Sequence, residues 1–239
     1  VTFLRDGGDC YGVSKRAKEM APAYGITYLT PVFAIHKAGH YGGIVGRSFE
    51  NVKEYTALVK EAKSEGADFI KIMVSGLIDF TKTYQLTEEG LKQELIREMI
   101  HIAHEEGFAV MAHANGARIV EAAASAGVDS VEHGAYLDGD ALAAMTENGT
   151  VWVPTISTVG NLRGKGRFDE AAVCCIFDSA AENIRRFAAM GGLIGCGSDA
   201  GAWAVPHGGG SEERLLQEIL GEKATELLRK GNEQIVAKF

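Results

Sequence analysis

Short apolar runs alternate along this chain with longer stretches in which apolar residues recur every three or four positions. The run Phe69-Ile70-Lys71-Ile72-Met73-Val74, set between Gly66 and Ser75-Gly76, has the composition of a strand buried on both faces. Similar runs predict strands over 1–6, 26–33, 108–113, 128–133, 151–155 and 193–199. The longer stretches predict helices. One starts at Ser48 as N-cap, carries Val52, Tyr55, Val59 and Ala62 on one face, and stops at Gly66. Another is capped by Thr87, with Glu88 and Glu89 in its first turn and Leu91, Leu95, Met99 and Ala103 on its buried side. Further helices are expected over 12–23, 116–126, 138–147, 169–190 and 222–238, with one more capped by Ser211. Residues 34–47, carrying glycines and two histidines, read as a loop.

Strict βα order implies a parallel sheet with right-handed crossovers. A doubly wound open sheet and a closed barrel both satisfy it. Four strands deliver a polar residue at or near their C-terminal ends: Lys71, His113 before Ala114-Asn115-Gly116, His133 before Gly134, and Asp199 before Ala200-Gly201. Such ends converge when the sheet rolls into a barrel, whose C-terminal face is the functional one. In an open sheet, ligands gather at a switch point instead. The expected fold is therefore α/β, a truncated (β/α)8 barrel in one domain, 1–239, with about seven strands present. Val1 already lies in a strand without a lead-in, so the chain is expected to begin inside a larger protein.

Composition narrows the function classes. The chain has 239 residues, 46% hydrophobic and 23% charged, as in a globular enzyme with a large core. A net charge of −8 argues against nucleic acid as a partner. No apolar run has membrane-spanning length and no signal peptide is visible, so membrane association is not expected. Cys10, Cys174, Cys175 and Cys196 lack Cys-x-x-Cys spacing, which speaks against a disulfide framework or a structural zinc site. A reducing, cytoplasmic setting is the expectation.

A lysine inside a buried strand invites the plain reading that it snorkels or pairs with a hidden carboxylate. Two histidines and an aspartate at neighbouring strand ends change that balance. Together the set suits a divalent metal, most often zinc. An ammonium cannot ligate, but a carboxylated lysine is an anion able to bridge two metals. Metals so held would lower the pKa of a shared water and clamp the carbonyl under attack. Asp199 would then carry the proton from water to leaving group. Elsewhere the plainer readings are preferred. His36 and His40 sit in the loop, His101 and His104 on a solvated helix face, Cys174 and Cys175 as thiols, and Arg163, Lys165 and Arg167 in a surface loop.

Phe69-Ile70-Lys71-Ile72, Met111-Ala112-His113-Ala114-Asn115-Gly116, Val131-Glu132-His133-Gly134 and Gly197-Ser198-Asp199-Ala200-Gly201 together resemble the amidohydrolase superfamily, in its imidazolonepropionase-like and prolidase-like branch. Val1-Thr2-Phe3-Leu4-Arg5-Asp6-Gly7-Gly8, Val153-Pro154-Thr155 and Pro206-His207-Gly208 extend the likeness over essentially the whole chain. The resemblance implies that Lys71 is the carboxylated bridging ligand, that His113 and His133 hold one metal, and that Asp199 ligates a second and shuttles protons. It further implies that His40 polarises the substrate carbonyl, and that Tyr136 and His207 line the pocket. The implied activity is hydrolysis of an amide-type C–N bond in a small molecule: a dipeptide, an N-acyl amino acid or a cyclic amide. A homo-oligomer is compatible with it.

Two departures stand out. No His-x-His pair, which in that family belongs to strand one, occurs here, and the flanking β-sandwich is missing. Both fit a chain whose first strand lies on a preceding segment or another polypeptide. Two other classes stay open: a barrel lyase or aldolase forming a Schiff base on Lys71, and a non-catalytic remnant.

Overall fold

The computed structural model describes residues 1–82, 84–201 and 204–239. In chain order the elements are β1 (Phe3–Arg5), α1 (Val13–Met20), β2 (Thr27–Leu29), β3 (Ala34–Lys37), β4 (Gly46–Phe49), α2 (Val52–Ser64), β5 (Ile70–Met73), α3 (Gln93–Glu105), β6 (Val110–Ala114) and α4 (Ala117–Ser125). They continue with β7 (Ser130–His133), α5 (Gly139–Glu147), β8 (Val151–Val153), α6 (Ser157–Gly160), α7 (Glu170–Ala189), β9 (Leu193–Ile194), α8 (Ser211–Leu220) and α9 (Ala224–Lys238). Seven strands form one parallel sheet in the order β4-β3-β5-β6-β7-β8-β9, and β1 pairs with β2, also in parallel. Among the described residues no helix is long and apolar enough to cross a membrane.

Side-chain alternation gives the sheet two different faces. Ile70, Ile72, Val110, Ala112, Val131 and Trp152 belong to the large core under the helices. On the other face, pairing sets Lys71 level with Met111 and Ser130, and Met73 level with His113 and Glu132. The interior is thus polar toward β5–β7. It is apolar toward β8 and β9, where Val151, Val153 and Ile235 cluster with Phe3, Leu193 and Phe239. Arg5 of β1 crosses this interior, its Nη1 donating to Ser130 Oγ at 3.0 Å, so the sheet is rolled until β1 faces β7.

The roll does not close by strand pairing among the described residues. Beyond β8, the outer edge of β9 meets a helix. Cys196 N donates to Asn232 Oδ1 of α9 at 2.8 Å, and a Cβ at Gly231 would stand 1.9 Å from Ile194 O. Ile235 and Phe239 continue from that contact into the interior. Helix α9 covers an edge that would otherwise leave backbone groups unpaired, and the fold is the expected α/β barrel type, truncated and open at this seam.

Several local expectations are corrected. Residues 26–33 are not one strand, because Pro31 brings no donor and Val32 turns left-handed (φ 66°). Pairing resumes at Ala34–Lys37, inside the expected loop, where Ala34, Ile35 and His36 meet Lys71, Ile72 and Met73. A second strand, Gly46–Phe49, occupies the loop's end, so Ser48 pairs with His36 instead of capping α2. That cap is Asn51, whose side chain accepts from Glu54 N at 3.1 Å. Thr87 caps nothing either. Its hydroxyl accepts from Leu77 N at 3.0 Å and braces a segment in which Ile78 and Leu86 bridge antiparallel, while α3 begins only at Gln93. Ser211 is the first residue of α8 rather than its cap. Asp138 and Asp169, in contrast, cap α5 and α7 as short acceptors should.

The α9 contact makes a prediction. In an open helix Gly→Ala stabilises by about 1 kcal/mol. Gly231→Ala is expected to do the reverse, lowering the urea midpoint by the equivalent of about 1–3 kcal/mol as α9 is pushed from β9. A raised midpoint would show that the helix does not press on that edge.

Candidate active site

Lys71 lies within β5, His113 one residue from the end of β6, His133 at the end of β7, and Asp199 a short way beyond β9. The imidazole centroids of His113 and His133 are 4.6 Å apart. Alternation would aim His133 at the helices with Val131. Instead its backbone is left-handed (φ 72°), as are those of Thr155 (47°) and Asp199 (52°), which breaks the alternation at each strand end. Such backbone costs about 1–3 kcal/mol for a non-glycine residue, and it gathers at functional ends of folds.

Each histidine has one nitrogen engaged. His113 Nε2 is 3.1 Å from Gly76 O, a group that can only accept, so Nε2 carries the hydrogen and Nδ1 keeps its lone pair. Asn115 sits beside it, its Nδ2 donating to the same carbonyl at 3.0 Å while its Oδ1 accepts from Ala135 N at 2.9 Å. His133 Nδ1 lies 2.7 Å from Thr155 Oγ1. Tyr41 lays its ring 4.9 Å from that of His113.

Burial and neighbouring charge set the protonation. Burial, then the charges of His133 and Lys71, drives His113 far below the ordinary imidazole range. Burial and Lys71 bring His133 down to about 3. Both rings are therefore neutral donors at neutral pH. Lys71 is lowered by burial against the pull of Glu132 and Asp199, which favours a neutral, nucleophilic amine. Asp199 is raised by burial, opposed by Lys71.

The other expected residues have surroundings of their own. His40 is partly exposed, its Nδ1 3.5 Å from Glu88 Oε1 and without a hydrogen bond among the described residues. Tyr136 sets its ring at a tilt 5.3 Å from that of Tyr84, and its buried hydroxyl has no partner among the described residues. His207 is exposed beside Gly201. His36 is buried with Nδ1 3.0 Å from Lys37 O, and His104 pairs with Asp129 at 2.9 Å, both structural uses. All four cysteines are free thiols, and Arg163 covers the Phe177 ring at 4.3 Å.

Sequence reading missed a second tier. Arg5 and Glu132 approach to 3.4 Å with Ser130 donating to the same carboxylate at 2.6 Å. Glu132 is level with His113, so its position two residues after inward-facing Ser130 was a usable signal. Thr155 and Glu212 carried none, since their contacts bridge elements far apart in sequence.

Among the described residues, no three His, Cys, Asp and Glu side chains converge as a finished metal-ligand cluster. What fits a metal is the donor chemistry: two neutral imidazoles, each with one nitrogen already engaged, a buried lysine, and the carboxylate of Asp199, which keeps an exposed side and interacts electrostatically with that lysine.

With that geometry in hand, relatives sharpen the class. The sequence matches the amidohydrolase family over residues 7–233, and the chain belongs to that family. An uncharacterized protein of Mycobacterium tuberculosis is 32% identical over 142 residues, covering 56% of this chain and 38% of that protein. A Xaa-Pro dipeptidase solved with methionine in its active site is 25% identical with a TM-score of 0.77, covering 96% of this chain and 62% of the dipeptidase. A prolidase complexed with n-methylphosphonate-l-proline is 25% identical with a TM-score of 0.73, over 99% of this chain and 61% of that one. A putative prolidase from Bifidobacterium longum, 23% identical with a TM-score of 0.79, shares the fold. The chain thus spans less than two thirds of the length of these proteins.

The imidazole environment predicts an acid response. Unfolded histidines bind a proton below about pH 6.5 while the buried ones do not, so stability is lost as pH falls from there toward 3. In the metal-free chain, urea midpoints measured between pH 6.5 and 4.5 should decline. His113→Gln with His133→Gln should flatten the decline by about 2 kcal/mol per pH unit. An unchanged slope would mean that neither ring is held neutral.

Proposed function

We propose that this chain is the barrel portion of a metal-dependent hydrolase that cleaves an amide-type C–N bond in a dipeptide, an N-acyl amino acid or a cyclic amide. The observation that carries this reading is the pair of neutral imidazoles at adjacent strand ends, 4.6 Å apart, beside Lys71 and Asp199. His113 and His133 would hold a divalent ion, zinc by donor type, with Asp199 and carboxylated Lys71 completing the set this chain supplies. A bound metal would supply Lewis acidity toward a water and the scissile carbonyl.

The chain's own groups do the rest. Lys71, short of proton affinity, offers a free amine. Its addition to carbon dioxide forms an N–C bond, releases one proton and leaves a carbamate anion. Asp199 accepts a proton from the attacking water and returns it to the leaving amine. His40 polarises the carbonyl once substrate brings the loop after β3 inward, and Tyr136 and His207 wall the pocket. The prolidase and Xaa-Pro dipeptidase relatives favour dipeptides ending in proline as the first substrates to try. Free thiols throughout suit a reducing, cytoplasmic setting.

A second reading draws on the same buried amine, since a lysine with lowered proton affinity also forms Schiff bases. Borohydride with a carbonyl substrate would trap that adduct, and no adduct is expected here.

Elemental analysis after zinc loading tests the main reading. Bound zinc is expected in the chain, with His113→Ala and His133→Ala each stripping it. Unchanged metal in both variants would overturn the assignment. With Xaa-Pro dipeptides, Asp199→Asn should lower kcat by about 100-fold or more while the fold persists. A near wild-type rate would move the proton shuttle elsewhere.

A further inference from the structure

We propose that Glu212, near the start of α8, is a positioning residue that fixes the His133 imidazole through the turn 155–157. This rests on the reading of His133 as a ligand. Glu212 opens α8 and is 2% exposed. Its two oxygens divide between two backbone donors, Ile156 N to Oε1 at 3.0 Å and Ser157 N to Oε2 at 2.7 Å. Pro154 precedes this turn and α6 follows it at once, so without Glu212 those two N–H groups would be buried and unpaired.

The turn so held reaches the site at two points. Thr155, buried and left-handed, places Oγ1 2.7 Å from His133 Nδ1. Its carbonyl accepts from Thr158 N at 3.0 Å and from Thr158 Oγ1 at 2.9 Å, which fixes the far side of the same residue. Ser157 Oγ donates to Ser198 O at 3.3 Å, next to Asp199. A β-branched residue does not hold a left-handed backbone unless its surroundings impose it. Glu212 is the group that imposes it: a bidentate carboxylate gripping the two residues that follow. With Thr155 pinned, its hydroxyl can accept Nδ1–H of His133 at 2.7 Å, the tautomer that leaves the Nε2 lone pair for a ligand role. Release the turn, and Thr155 Oγ1 loses its bearing on the ring.

The test reads the ring without a metal present. In the metal-free chain labelled with 15N-histidine, the His133 nitrogens should report one tautomer with hydrogen on Nδ1. In Glu212→Gln the amide accepts one N–H and turns its own NH2 toward the other. The His133 signals should then broaden or average between tautomers, and zinc affinity by chelator competition should weaken about 10-fold or more. Thr155→Val should give the same change, and Thr155→Ser should restore the wild-type ring. If Glu212→Gln does not fold, Glu212→Asp carries the test, since the shorter carboxylate draws back from both donors.

A folded Glu212 variant with reduced stability but an unaltered His133 tautomer would overturn the proposal, as would an unaltered tautomer in Thr155→Val. A shifted tautomer in a chain that takes up no zinc would leave the positioning role standing and remove the metal reading.

Discussion

The structure depends on a bond across its interior. Arg5 on β1 and Glu132 on β7 are both nearly excluded from water, with side-chain exposures of 7% and 4%. Neither charge could be buried alone. Losing one partner of such a pair costs about 3–5 kcal/mol, because the other is stranded. Ser130 shares the carboxylate and the Phe239 ring covers the guanidinium at 4.2 Å, so the pair is satisfied from several sides. Its consequence is geometric. A sheet without strand pairing at the seam has no ladder to fix its curvature, and this contact fixes how far β1 stands from β7.

The same contact explains why the C-terminal helix matters. Phe239 reaches Arg5 and meets Phe69 edge-on at 5.3 Å, while Ile235 packs on Val151 and Val153. Helix α9 therefore does two jobs at one seam. Asn232 satisfies a backbone donor just past β9, and the apolar end of the helix fills the interior beside the polar residues of β5–β7. Interior polarity is thereby segregated. Charges lie on one wall, and aliphatic and aromatic groups on the other.

Much of this was legible in the residues. The βα order, the four polar strand ends and the buried lysine follow from run lengths, glycine positions and the rarity of charge inside apolar runs. His113 and His133 lie side by side, and Lys71 is in electrostatic range of both rings and of Asp199. What the sequence hid depends on backbone detail or long-range closure. Ser48, Thr87 and Ser211 all have cap chemistry, yet a strand partner, a bridging loop and a shifted start claimed them first. The break at Pro31-Val32 moved β3 into residues that glycine content marks as loop. Arg5 with Glu132, 127 positions apart, and Glu212 with Ser157, 55 apart, are visible only after the sheet has rolled.

Charge sign is the last link between fold and chemistry. As an ammonium, Lys71 works against protonation of both imidazoles and steadies the ionised form of Asp199. Glu132 and Asp199 support that charge, while burial works against it. The ammonium is also hostile to a cation, because like charges a few ångströms apart in a poorly screened interior repel by several kcal/mol. Conversion to a carbamate would reverse the sign of the same side chain, placing a negative charge on two new oxygens at its tip. The interior would then hold two anionic groups, the Lys71 carbamate and Glu132, against the one guanidinium of Arg5, with Asp199 nearby as a third negative group. Such an excess is unfavourable without a bound cation and favourable with one. Under the proposed function, carboxylation and metal uptake would be a single coupled event, and Arg5 would keep Glu132 neutralised when Lys71 changes sign.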